Sequence, residues 1–90
     1  MARAQRTFVV VNTLGLHARA AAQLVQAANR FRSEIHVEKD GTTVNGKSIM
    51  GVLTLAAAKG SSIVVSVEGD DAEPAMTALA KVIESGFGET

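Results

Sequence analysis

No cysteine occurs in this chain of 90 residues, which excludes disulfide bonds, a thiolate nucleophile and a zinc site of the usual cysteine type. That absence fits a reducing compartment, and a cytoplasmic location is expected. An excess of charge of either sign is also lacking: nine lysines and arginines face nine aspartates and glutamates, for a formal net charge of zero. Without a global positive field, neither nucleic acid nor an anionic membrane is an expected partner. Long apolar runs are missing as well. Arg3 and Arg6 lead only into Phe8 to Val11, far short of a secretory segment or a membrane span, so a soluble, unexported chain without membrane insertion is expected. Two histidines alone do not suggest a metal centre, and no cofactor is called for. There is no G-x-S-x-G elbow or HExxH helix, and no Walker-type nucleotide loop is expected. Any phosphoryl chemistry would therefore need another protein to supply the donor, and the chain is read as no enzyme in its own right.

What is present is a regular alternation of short elements. Thr7 to Val11 is β-branched or aromatic throughout and reads as a strand with Phe8 and Val10 inward, closed by Asn12, Thr13 and Gly15. Ala18 to Arg30 places Ala21, Leu24, Val25 and Ala28 at helical spacing, with Arg19, Gln23, Gln26 and Arg30 opposite. Ser33 to Lys39 alternates, Ile35 and Val37 against Glu34, His36 and Glu38. Asp40-Gly41 then supplies a two-residue turn into a return strand, Thr42 to Asn45. Ile49 to Ala58 reads as a second helix behind a Ser48 cap, weakened by Gly51, with Val52, Leu55 and Ala56 inward. Ser62 to Glu68 alternates again, with Ile63, Val65 and Val67 inward. Asp70 and Asp71 open a third helix buried through Met76, Leu79, Ala80 and Ile83, which tolerates the single proline, Pro74, because that lies in the first turn.

The order β-α-β-β-α-β-α predicts an α+β, open-faced β-sandwich: a four-stranded sheet with three helices on one face and water on the other, as one domain over residues 1–90. Nothing requires more than a monomer. The loop after the first strand then lies at a rim, and that loop carries Gly15-Leu16-His17-Ala18-Arg19. A histidine at a helix start meets unpaired backbone N–H groups and the positive end of the helix dipole, so an anion carried on its ring is stabilised. Arg19 adds charge-assisted hydrogen bonds to phosphate oxygens. His17 is thus the candidate phosphoryl acceptor, and a rim suits handing a group between proteins. His36 lies on the polar face of its strand between Glu34 and Glu38, and is assigned no role.

The second constellation is Asn45-Gly46-Lys47-Ser48-Ile49-Met50-Gly51. A turn followed by a serine-capped helix accounts for its polar residues. It leaves Ile49, Met50 and Leu53 off the buried face, as a docking surface. A phosphate on Ser48 would bring about two negative charges to the edge of that surface.

These motifs resemble those of the HPr family, the small phosphocarrier proteins of the bacterial phosphoenolpyruvate-dependent phosphotransferase system, over nearly the whole chain. Gly15 to Arg19 resembles the family's active-site motif, Asn45 to Gly51 its regulatory-serine segment, and the element order its open-faced sandwich. The resemblance implies that His17 accepts phosphate from phosphorylated enzyme I on its δ1 nitrogen, aided by Arg19, and passes it to enzyme IIA-type acceptors. It also implies that Ser48 is the residue HPr kinase/phosphorylase modifies, and that Ile49, Met50 and Leu53 belong to the partner surface. Ala20 departs from the proline that usually follows the arginine, and Ile83 to Phe87 is similar to chain ends of the nitrogen-related or regulatory branch. An alternative is a regulatory binding module of the same fold that works mainly through protein contacts. Small enzymes and metal carriers of related order lack support, since neither an acylphosphatase's glycine-rich anion loop nor a CxxC is present.

Overall fold

The computed structural model describes residues 2–89. It runs β1 (Arg3–Val9), α1 (Ala18–Ala28), β2 (Glu34–Lys39), β3 (Thr42–Asn45), α2 (Ile49–Thr54), β4 (Ser62–Glu68), α3 (Ala72–Glu84) and a closing 3-10 turn, Gly86–Gly88. The strands form one antiparallel sheet in the order β1-β4-β2-β3, the open-faced arrangement expected of the element order.

Alternation decides which face is covered. Ile35 and Val37 of β2 and Ile63, Val65 and Val67 of β4 are buried, while Glu34 and His36 face outward. On the covered side they meet Leu24 of α1, Val52 of α2 and Leu79 and Ile83 of α3, which join Phe8 and Val10 in one apolar core. Each such large side chain taken fully out of water contributes roughly 1.5–3 kcal/mol, so this layer, and not surface ion pairs, holds the sheet to the helices.

Four boundaries differ by two residues or more from the sequence reading, among them the end of β1 at Val9 instead of Val11, because tertiary contacts override local composition. β1 begins at Arg3 instead of Thr7 because pairing sets its length: it matches β4 from Arg3 opposite Glu68 to Val9 opposite Ser62. Its polar first half is that of an edge strand, where one face and one side meet water. α1 stops at Ala28, short of Arg30, because after the Asn29 amide, which still reaches the Val25 carbonyl, those of Arg30 and Phe31 turn to carbonyls three residues back. α2 is the shortest helix, ending at Thr54 and not Ala58. Leu55 and Ala56 again bond three residues back, and Ala56 adopts a left-handed φ of 49°, so it is exposed and not inward as the helical spacing predicts.

Asp71 precedes α3 but makes no side-chain cap there. Its carboxylate instead accepts from the backbone amides of Arg32 and Ser33, at 2.8 and 2.9 Å, and from the Ser33 hydroxyl, which ties the loop before β2 to the start of α3. The Ser33 hydroxyl first, and the Arg32 amide next, hold the Asp71 carboxyl below its ordinary range. A carboxyl so depressed binds its proton less readily in the folded state than unfolded. Its contribution to stability is therefore complete above the ordinary carboxylate range and lost as pH falls through the depressed value. Thermal unfolding of Asp71→Asn is accordingly expected at lower temperature than the parent chain at neutral pH, with the gap closing in acid. A constant gap across the pH series would contradict this.

Candidate functional site

The loop between β1 and α1 is held by backbone and not by side-chain bulk. Leu16 donates its amide to the Ala57 carbonyl at 2.9 Å, while Leu16 itself is buried. Gly15 lies against the same carbonyl in a left-handed conformation, φ 66°, where an added Cβ would sit 2.4 Å from the Ala57 oxygen. Two requirements therefore select glycine, the left-handed backbone and the lack of space. Behind it, the buried Asn12 side chain donates to the Gly15 carbonyl at 2.8 Å.

This loop delivers His17 to the cap position of α1, in extended conformation. The first helical bond is that from the Ala21 amide to the His17 carbonyl, 2.8 Å, so the amides of Ala18, Arg19 and Ala20 have no intrahelical partner. The His17 side chain is 29% exposed, which places it at the rim the fold predicts. Arg19 is exposed and lines a surface depression with Leu14, Gln23, Phe87 and Glu89. Among the described residues it forms no ion pair.

Sequence reading missed the residue in closest polar contact with His17. Glu89 returns from the far end of the chain and places its carboxylate on Nε2 of His17, with Oε2 at 2.7 Å and Oε1 at 2.8 Å. Asn12 Nδ2 donates to the same carboxylate at 2.9 Å. The hydrogen bond from His17 is the largest cause holding the Glu89 carboxyl below its ordinary range, followed by that from Asn12, with the charge of Arg19 adding to them. A negative charge at this helix start is thus supplied by a side chain of the protein itself. The one sequence signal for this is Gly86-Phe87-Gly88, an aromatic residue between two glycines close after a helix. Phe87 is buried in the left-handed region, φ 58°, and fixes the turn that brings Glu89 back.

Ser48 caps α2, accepting from the Gly51 amide at 3.1 Å. Beyond it Ile49 and Met50 are 42% and 74% exposed, and Leu53 is half-buried against the core. His36 lies exposed on β2, between Asn45 of β3 and Ser66 of β4. Among the described residues no group of three or more His, Cys, Asp or Glu could hold a metal ion, and no helix is long and apolar enough to cross a membrane. The expectation that no Walker-type GxxxxGK[ST] occurs is wrong as to the letters, since Gly41 to Ser48 satisfy GxxxxGKS. Thr42–Asn45 is nevertheless strand β3, and the Lys47 ammonium donates to the Phe31 carbonyl at 2.7 Å, so no nucleotide loop forms.

A family model described as the PTS HPr component phosphorylation site matches residues 4–85. The chain belongs to the HPr family. A phosphocarrier protein HPr from Neisseria meningitidis is 47% identical over 85 residues, covering 94% of this chain and 96% of that protein. An HPr-like protein Crh from Halalkalibacterium halodurans is 57% identical over 70 residues, covering 78% and 83% respectively. The solved structure of HPr-C-His from Thermoanaerobacter tengcongensis superposes with a TM-score of 0.93 at 49% identity, covering 97% of this chain and 98% of that one. The phosphotransferase-system family and the open-faced fold inferred from sequence are therefore those of this protein.

Because the loop depends on Gly15, Gly15→Ala is expected to cost about 2 kcal/mol or more, from left-handed backbone strain together with overpacking against a carbonyl that cannot yield cheaply. Urea unfolding reads the loss, and an unchanged midpoint would show that the loop is free to move away from Ala57.

Proposed function

We propose that this HPr-family protein, working as one domain over residues 1–90, carries a phosphoryl group on His17 in the cytoplasm, between phosphorylated enzyme I and enzyme IIA-type acceptors. The observation that carries this reading is a partly exposed imidazole at the amino end of α1, with three helical amides ahead of the first intrahelical bond and Arg19 two residues on. An unprotonated ring nitrogen supplies the electron pair. The amides and the guanidinium meet the phosphate oxygens without having to be assembled at the moment of transfer. Leaving the ring at a rim keeps it reachable for two different proteins in turn, which a deep cleft would prevent. The chain itself catalyses nothing and needs no cofactor.

Ser48 is proposed as a regulatory phosphorylation site for HPr kinase/phosphorylase, with Ile49, Met50 and Leu53 as the surface that partners touch. The exposure of Ile49 and Met50 supports the surface, and a phosphate on Ser48 would place its charge at the edge of it. The same exposure, with the similarity to a Crh protein, favours a second reading in which the chain acts as a regulatory module through this surface while His17 matters little.

Incubation with phosphoenolpyruvate and enzyme I separates the two. The carrier reading requires an acid-labile, alkali-stable phosphate on the chain that His17→Ala abolishes; a parent chain that takes no label rejects it. In Arg19→Ala the loss of one charge-assisted hydrogen bond, about 1.5–3 kcal/mol, is expected to slow labelling roughly 10- to 100-fold. Incubation with ATP and HPr kinase/phosphorylase should give an acid-stable phosphate absent from Ser48→Ala, and equal labelling of that variant would move the site elsewhere.

A further inference from the structure

The contact between Glu89 and His17 bears on which ring nitrogen does the chemistry. We propose that Glu89 is a positioning residue for phosphoryl transfer: by accepting from Nε2 it fixes the ring and its tautomer so that Nδ1 presents the free electron pair, and it then steadies the ring while Nδ1 carries phosphate.

An ionised carboxylate can only accept, so a hydrogen bond of 2.7 Å to Nε2 requires the proton to reside on that nitrogen. In the neutral imidazole the lone pair then belongs to Nδ1, and among the described residues no hydrogen bond reaches Nδ1. The contact is a built one. Asn12, itself buried, donates to the same carboxylate and to the Gly15 carbonyl, so one side chain braces both the positioning residue and the loop that holds His17. Glu89 lies only two residues beyond Phe87, whose buried ring holds an otherwise unfavourable left-handed backbone in place. The carboxylate is 15% exposed, so water competes little for it.

The transfer balances without any proton moving. The Nδ1 lone pair forms the N–P bond as the donor's bond to phosphorus breaks and its electron pair leaves with the donor. Nε2 keeps its proton throughout, so the phosphorylated ring is an imidazolium whose N–H points at Glu89. A positive ring is the better leaving group, and when an acceptor attacks phosphorus the N–P electrons return to Nδ1, restoring the starting tautomer. Glu89 thus performs for a phosphoryl-accepting histidine what an orienting carboxylate does for a metal-ligating or catalytic one. The inference rests on His17 being the phosphoryl acceptor, but its first readout does not.

That readout is the ring 1H–15N spectrum of unphosphorylated protein. A protected Nε2–H with Nδ1 unprotonated is expected in the parent chain, and its loss to solvent exchange in Glu89→Ala. With phosphorylated enzyme I as donor, Glu89→Ala should accept phosphate about 10-fold more slowly or worse, in line with the roughly 10- to 100-fold effect of removing a histidine's orienting partner elsewhere. Glu89→Gln keeps an acceptor at the same reach and should recover the Nε2–H signal and most of the rate. Glu89 lies outside the apolar core, so Glu89→Ala should lose some stability with its hydrogen bonds and yet stay folded at the assay temperature, which thermal unfolding checks. The proposal is overturned if Glu89→Ala keeps the parent ring spectrum, if it accepts phosphate as fast as the parent or faster, as a blocking carboxylate would predict, or if Glu89→Gln behaves no better than alanine. A parent chain that shows the protected Nε2–H yet takes no phosphate would reject the carrier reading while leaving the Glu89 contact standing.

Discussion

A single backbone hydrogen bond, from the Leu16 amide to the Ala57 carbonyl, sets the orientation of everything near His17. It joins the loop after β1 to the segment after α2, two stretches far apart in sequence that have no secondary structure of their own. For the bond to form, α2 must stop at Thr54 and the chain must reverse through Ala56 in a left-handed conformation. That conformation costs an alanine about 1–2 kcal/mol. Burial of Leu16, Leu55 and Ala57 around the bond, at roughly 25 cal/mol per Å² of apolar surface, is large enough to offset it. The short helix, the strained alanine and the glycine that cannot be replaced are one device seen from three sides.

Strain of this kind is not spread evenly. Among the described residues three that are not glycine have left-handed backbone: Asp40, Ala56 and Phe87. Asp40 lies in the tight turn between β2 and β3, where an aspartate at positive φ is ordinary. The other two support the His17 site from opposite sides, Ala56 through its neighbour's carbonyl under Gly15 and Phe87 through the turn that returns Glu89. Locally unfavourable backbone gathered at one rim, and held there by buried side chains, marks that rim as the part of the molecule where geometry is most constrained.

The sheet was readable from sequence because its signal is local: Ile35 and Val37, then Ile63, Val65 and Val67, alternate with polar neighbours, and Asp40-Gly41 announces its turn. So were the three helices, His17 at a helix start, and the exposed Ile49 and Met50 beyond the Ser48 cap. What sequence hid was set by pairing at a distance. The polar half of β1 is a strand only because β4 lies beside it. Helical spacing over Ile49 to Ala58 carries no sign that Ala57 owes its carbonyl to Leu16, so the spacing predicts too long a helix and turns Ala56 inward. Asn12 looked like loop punctuation, yet its amide braces both Gly15 and Glu89. Glu89 left no periodic trace at all, and only the glycines around Phe87 hinted that the chain returns.

The alanine at position 20 can be weighed against the same constraints. A proline there would fix φ in the first turn, and its loss frees the unfolded chain by about 0.4–1 kcal/mol. Against this, Ala20 is fully buried beneath the helix, and the following bond from Ala21 to the His17 carbonyl closes the turn regardless. Alanine also returns one N–H to the amino end of α1, where favourable interaction with an anion is worth about 0.3–1 kcal/mol. The two effects are of similar size and opposite sign. The strongest side-chain contact at this site, that of the Glu89 carboxylate on Nε2, does not depend on residue 20 being proline. A departure from the family motif at this position therefore changes how firmly the first turn is held, and leaves Arg19 and the carboxylate on Nε2 where they are.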